Sequence, residues 1–122
     1  KVKSLKSGLL NSVVNKDGIN FLSTILDLDG GSIKDLCFQL KGELENFVGV
    51  IGGKSDGKAT VTIIVSENIA KAKDLHAGNL VREASKLIQG GGGGQPFFAT
   101  AGGKNQRGLT EALIFVEDKV FG

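Results

Sequence analysis

Gly90, Gly91, Gly92, Gly93 and Gly94 form an unbroken run that leads straight into Gln95-Pro96-Phe97-Phe98-Ala99-Thr100-Ala101-Gly102-Gly103-Lys104-Asn105. Glycine loses more conformational entropy on folding than any other residue, so such a run weakens a fold unless bare backbone is needed there. Bare N–H groups beside cations are the chemistry of a phosphate site. Cations stand close in the sequence: Arg82 and Lys86 precede the glycines, one helical turn apart, and Lys104 and Arg107 follow them. A nucleotide-binding P-loop would need a strand before the glycines, a helix after them and Gly-Lys-Ser/Thr at its end. Here a helix leads in and a strand leads out, and Gly103-Lys104 is followed by Asn105, so that reading fails. The dinucleotide fingerprint fails too, because no strand precedes the run and position 95 is glutamine. Two readings remain: a helix-to-strand connection that is merely glycine-rich, and a backbone surface that RNA or a phosphate ligand can approach. The entropy argument favours the second.

Groups for covalent or acid–base catalysis are scarce. His76 is the only histidine. At a helix start, without a nucleophile or orienting acid tied to it, it reads as a capping or solvent-facing residue. Cys37, the only cysteine, lies on the apolar face of a helix and reads as inert packing. One cysteine and one histidine exclude an internal disulfide and argue against a structural Cys/His zinc site. Asp27 and Asp29, near one turn, read as capping groups rather than cation ligands. From its own residues the chain is expected to be non-catalytic and to carry no metal or cofactor.

The elements that must position these residues follow from periodicity. The chain has 122 residues, 40% hydrophobic and 23% charged, enough for one globular domain. Val2, Leu5, Leu9 and Val13 predict an amphipathic helix that ends at the turn cluster Asn15-Lys16-Asp17-Gly18. Residues 19–27 are apolar on both faces, as in a central strand. Asp29-Gly30-Gly31-Ser32 then breaks the chain, with Ser32 as the expected cap of a helix whose apolar face is Ile33, Leu36, Cys37, Leu40 and Leu44. Strands are expected at 47–51 and 59–66, joined through the hairpin signal Asp56-Gly57. Asn68 is the expected cap of a second helix, which Lys71 and Lys73 begin, which continues with or without a break near Gly78, and whose stripe is Ala77, Leu80, Val81, Ala84, Leu87 and Ile88. It ends at the glycines. A short strand over 96–101, a polar loop over 102–108 and a helix marked by Leu109, Ala112, Leu113, Val116 and Val120 close the chain. The predicted class is α/β (α+β): a mixed sheet flanked by helices and preceded by the end of a helical connector.

Fifteen Lys and Arg against thirteen Asp and Glu give a net charge of +2, far below the excess of a protein that holds nucleic acid by charge alone. A nucleic-acid partner must be held by a local patch, by shape, or with help from elsewhere. Most other lysines, Lys54 and Lys58 among them, read as ordinary solvated surface. Phe97 and Phe98 are candidates to stack on bases, but neighbours in a strand face opposite ways, so at least one belongs to the core. No apolar run approaches the roughly 18 residues of a membrane span, and no leader is recognisable. The absent Met and the helix-like opening point to a piece of a longer protein, and the cysteine usage suits the cytosol.

The run from Gly90 to Lys104 resembles the signature of the C-terminal domain of alanyl-tRNA synthetases, within the wider DHH-associated family. The resemblance extends upstream to Ala77-Gly78-Asn79-Leu80-Val81-Arg82-Glu83-Ala84 and downstream to Leu109-Thr110-Glu111-Ala112-Leu113. It covers residues 19–122, while residues 1–18 resemble the end of the helical connector. It implies a tRNA-binding appendage that grips the outer corner of the tRNA for alanine. The implied parent attaches alanine using ATP and edits mischarged tRNA in a separate domain, with ATP, Mg and Zn sites in parts absent here. The implied partners are that tRNA, the other domains of the synthetase and, in some members, a second copy in a homodimer, with no role for DNA or membrane. The implied compartment is the cytoplasm. The RNA-binding positions expected are Arg82, Lys86, the five glycines 90–94, Gln95, Gly102, Gly103, Lys104 and Arg107. Gln95 stands where members often carry Arg, and Phe97 where they carry an acidic residue. Phosphoesterase relatives place a histidine where Gln95 stands. Two alternatives remain: a dimerisation or protein-interaction module of the same enzyme, and a nucleotide-binding accessory domain of a phosphoesterase.

Overall fold

Along the strand Lys58–Val65 the odd-numbered residues Ala59, Val61, Ile63 and Val65 enter one apolar cluster, while Ile64 enters another on the opposite side. A strand with apolar side chains on both faces needs cover on both, which makes three layers. The structure, a computed structural model, describes residues 2–122 and the side chains from residue 5 onward. Lys1 and the Val2 side chain, assigned above to a helix face, lie outside the described residues. In chain order the elements are α1 (Val2–Ser12), β1 (Val14–Lys16), β2 (Ile19–Leu26), α2 (Gly30–Glu43), β3 (Phe47–Ser55) and β4 (Lys58–Val65). They continue with α3 (Glu67–Ala72), α4 (Ala77–Ala84), a 3-10 turn (Ser85–Ile88), β5 (Gly90–Gly94), β6 (Phe98–Gly103), a second 3-10 turn (Gln106–Gly108) and α5 (Leu109–Phe121).

The sheet order is β1-β2-β3-β4-β6-β5, with β2 and β3 parallel across α2 and every other pair antiparallel. This is the mixed sheet flanked by helices that the patterning predicts. On one side Leu9 of α1 and Ile33, Leu36, Cys37 and Leu40 of α2 pack on Leu22, Phe47, Ile51 and Ile64. On the other, Ile69, Ala77, Leu80, Val81, Ala84, Leu109, Ala112, Leu113, Val116 and Val120 pack on Val48, Val50, Val61 and Ile63. Each fully buried Val, Ile or Leu contributes about 1.5–3 kcal/mol, so stability concentrates at β3 and β4, which are apolar on both faces.

Several boundaries differ from the sequence expectation, each for a local reason. Asp29, not Ser32, caps α2: its carboxylate accepts from the Ser32 N–H at 2.7 Å. Ser66 occupies the cap position of α3, and Asn68 lies inside that helix. The Ser66 hydroxyl is engaged instead by the Phe47 N–H at 2.8 Å. The second helix is indeed two helices, with the break a few residues before Gly78, where Asp74 adopts a left-handed conformation (φ 55°) and the Leu75 N–H returns to the Ala70 carbonyl. Lys71 and Lys73 therefore end α3 rather than begin a helix. The cluster at 15–18 hides a second hairpin. Asp17 and Gly18 both take positive φ, as Asp56 and Gly57 do, and this two-residue turn folds Val14–Lys16 back along β2. Three residues are too few to show a period.

Thr62 is 1% exposed, and its hydroxyl has no hydrogen-bond partner among the described residues. An unpaired buried hydroxyl costs about 1–3 kcal/mol, so Thr62→Val is expected to raise stability by about 1 kcal/mol. The check is a higher denaturant midpoint at unchanged slope. The Ser32 N–H and hydroxyl hold the Asp29 carboxyl below its ordinary value of 3.8. A carboxylate with a depressed folded pKa stabilises the fold above its unfolded pKa and stops doing so as pH falls through the folded one. Acid titration of Asp29→Asn should therefore show a shallower loss of stability below 3.8 than the parent chain shows.

Candidate nucleic-acid interface

β5 consists entirely of glycine and forms an edge of the sheet. Sequence placed 90–94 between a helix and a strand with no element of its own; the segment is itself a strand, paired antiparallel with β6 from Gly90↔Gly103 to Gly94↔Ala99. Propensity hides it, since glycine is depleted in strands and offers no side-chain alternation to read. Its backbone lies unusually close to β6. A Cβ on Gly90 would collide with the Gly102 carbonyl, and one on Gly92 with Ala101 and the Thr100 carbonyl. On Gly94 it would stand 2.7 Å from the Ala99 Cα. Packing alone therefore requires glycine at 90, 92 and 94. The alternate positions face open space: nothing lies within 4 Å of a Cβ on Gly91, and Gly93 meets only the Arg82 Nη2 at 3.7 Å. Their cross-strand partners are Gly102, where the nearest atom is 4.0 Å away, and the exposed Thr100.

The hairpin is anchored at both ends. The Gln95 N–H donates to the Phe98 carbonyl (2.9 Å), closing the turn. The Ala77 and Gly78 N–H groups at the start of α4 donate to the Pro96 and Gln95 carbonyls (2.9 and 3.1 Å), and the His76 Nδ1 accepts from the Asn79 N–H (3.1 Å). His76 is a helix cap, and the donors that begin α4 are consumed inside the protein, so the anion-binding end of that helix is closed. At the other end the Asn105 N–H donates to the Ile88 carbonyl at 2.9 Å, and Gly103 and Gly108 lie hard against the Ile88 and Leu87 carbonyls.

Helix α2 packs over β3 and β4, on the side to which Gly91, Gly93, Thr100 and Gly102 turn, and leaves Gly91, Thr100 and Gly102 exposed and Gly93 half-buried. Two grooves border this open strip. One is lined by Lys34, Phe38, Gly93, Gly94, Gln95, Phe98, Ala99 and Thr100, the other by Lys58, Ala59, Thr60, Gln89, Gly90, Gly102, Gly103 and Lys104. Of the positions expected from sequence, Gly93, Gly94 and Gln95 line the first groove and Gly90, Gly102, Gly103 and Lys104 the second; Gly91 and Gly92 line neither, and the Arg82 guanidinium stands beside Gly93. Lys86 and Arg107 stand exposed on the two 3-10 turns, outside both grooves. Among the described residues none of these cations is paired with an acid; the one ion pair joins Lys6 and Glu43. The sequence reading missed Lys34, Phe38 and Thr100 as groove residues and left Lys58 with the ordinary surface. Phe38 carried a signal, since it lies off the Ile33-Leu36-Cys37-Leu40 stripe and so had no place in the core. Phe97 and Phe98 pack toward opposite sides of the sheet.

Catalytic and metal chemistry finds little material. Burial pushes the Cys37 thiol up to about 12, so it stays protonated and unreactive at neutral pH. Among the described residues no group of three or more His, Cys, Asp or Glu side chains is placed to hold a metal ion. No helix among them is long and apolar enough to cross a membrane.

The profile of the DHHA1 domain matches residues 18–120. The chain belongs to the DHHA1 domain family. This DHHA1 domain is 54% identical over 113 residues to an alanine–tRNA ligase of Christiangramia forsetii, and 48% identical over 114 residues to that of Bacteroides thetaiotaomicron. Each match covers 93% of this chain but 13% of the relative, so the chain spans about an eighth of the length of the curated relatives it matches. The crystal structure of the C-Ala domain from Aquifex aeolicus alanyl-tRNA synthetase has the same fold, with a TM-score of 0.80 at 23% identity, covering 90% of this chain and 98% of that one.

The alternation along β5 is testable by substitution. Gly90→Ala and Gly92→Ala should each cost about 1–3 kcal/mol through backbone collision, whereas Gly91→Ala should change stability by no more than a few tenths. Equal losses at all three positions in urea melts would show that β5 does not lie against β6 as described.

Proposed function

We propose that this DHHA1 domain is the tRNA-binding C-terminal part of an alanine–tRNA ligase, with residues 19–122 as the binding domain and 1–18 as the end of the connector that joins it to the rest. The observation that carries the reading is the bare strip at Gly91, Gly93 and Gly102. Side chains would fit there, so packing does not account for the glycines, and what they preserve is close access to backbone N–H and C=O groups. A sugar-phosphate chain is the ligand that uses such access, held by hydrogen bonds that position without reading sequence. Lys104 and Lys58 flank the strip at one end and Lys34 at the other, with the Arg82 guanidinium beside Gly93, supplying local positive charge that the net +2 of the chain does not. Lys86 and Arg107 extend it as outlying phosphate contacts. Joining alanine to tRNA with ATP, and any metal that chemistry uses, belongs to the remaining seven-eighths of the parent, in the cytoplasm. The assembly alternative draws less support: α1 spends Leu9 on the core beneath α2, leaving less apolar surface for a second copy.

The test is a salt titration of binding to the tRNA for alanine, with another tRNA as control. Lys104→Ala and Arg82→Ala are each expected to weaken binding and to reduce the salt slope by about one. Lys86→Ala and Arg107→Ala should have smaller effects. Unchanged affinity and slope in both of the first pair would remove the open strip from the binding surface.

A further inference from the structure

The groove between α2 and the β6–β5 hairpin differs from the rest of the open strip because one wall is aromatic. Phe38 is 45% exposed, although it projects from a helix whose apolar stripe is complete without it. Its ring centroid lies 5.0 Å from that of the half-buried Phe98, with the planes 35° apart. Lys34, one turn earlier on α2, places its Nζ 5.8 Å from the centre of the Phe98 ring. The remaining lining comes from Gly93 and Gly94, which add no side chain, from Ala99, whose side chain belongs to the buried core, and from Gln95 and Thr100, which carry hydrogen-bonding groups. A peptide groove would need apolar side chains on both walls. Here a π face and a cation stand beside bare backbone and two polar side chains. The ligand that matches all of these is a planar heterocycle with polar edges attached to a phosphate.

We propose that this groove takes one unstacked nucleobase of the bound RNA, laid on the exposed face of Phe38 with its phosphate toward Lys34. Gln95 and Thr100 stand at its polar edge, where a glutamine amide can both donate and accept. The site rests on the RNA-binding reading for the nature of its ligand, and it adds a hydrophobic anchor that the strip of glycines lacks. It also gives Gln95 a role that does not need a positive charge.

The experiment uses two probes with the 122-residue chain: tRNA for alanine, and a single-stranded RNA hexamer carrying 2-aminopurine. The chain has no Trp or Tyr, so quenching of the base analogue on stacking is read against a dark protein. The parent chain is expected to quench the hexamer. Phe38→Ala and Phe38→Leu should abolish quenching and weaken both probes about tenfold, while Phe38→Trp should retain binding. Leucine keeps the apolar bulk and loses the π face, so it separates stacking from packing in a residue too exposed to hold the fold. Lys34→Ala should lower the salt slope by about one without abolishing quenching. Unchanged quenching and affinity in both the Ala and Leu variants overturn the nucleobase site, and the tRNA reading survives if Lys104→Ala still weakens tRNA. Phe38-dependent quenching of the hexamer with no tRNA binding supports the site and sinks the tRNA reading. No binding of either probe overturns both.

Discussion

The approach of β5 to β6 is the constraint on which the functional half of the molecule depends. The two backbones lie so close that alternate residues of β5 cannot carry a side chain. That closeness fixes the Gln95-Pro96 turn, whose carbonyls receive the first N–H groups of α4, and α4 in turn brings Arg82 to the strand. The same geometry aims the other glycines away from the core. One backbone arrangement thus both completes a helix and presents an uncovered polypeptide surface.

Charge is distributed so that place matters more than amount. A net +2 on a 122-residue chain produces little long-range field, and the acids are nearly as many as the bases. Around the open strip, however, Lys34, Lys58, Arg82 and Lys104 have no acidic partner among the described residues. Binding through such a surface depends on short-range hydrogen bonds and fit as much as on attraction at a distance.

Much of the architecture was legible because burial imposes periods. The stripe Leu109, Ala112, Leu113, Val116 and Val120, and the doubly apolar runs of β2, β3 and β4, can be satisfied only by helices on both faces of a sheet. What escaped was structure without side-chain periodicity. β1 is too short, α3 and α4 are separated by a backbone reversal at Asp74 that no apolar pattern marks, and β5 has no side chains to alternate. At the site, the glycines, Gln95 and Lys104 were visible because they are contiguous in sequence. Lys34 and Phe38 join them only through the crossover that sets α2 beside β4, about sixty residues from β6 along the chain. The division of labour within the glycine run needed the cross-strand register, which composition does not contain.

The position of β5 also fixes when its surface comes into being. A strand without side chains buries no apolar group of its own, so it cannot nucleate and can be held only by a partner already in place. That partner, β6, must first pair with β4 across the whole of α3 and α4, a loop whose closure costs entropy before any contact repays it. β3 and β4, joined by a two-residue turn, have no such delay. The glycine edge therefore depends on β6 for its place in the sheet. A ligand bound on this glycine edge would therefore add stability to a part of the molecule that buries little apolar surface of its own.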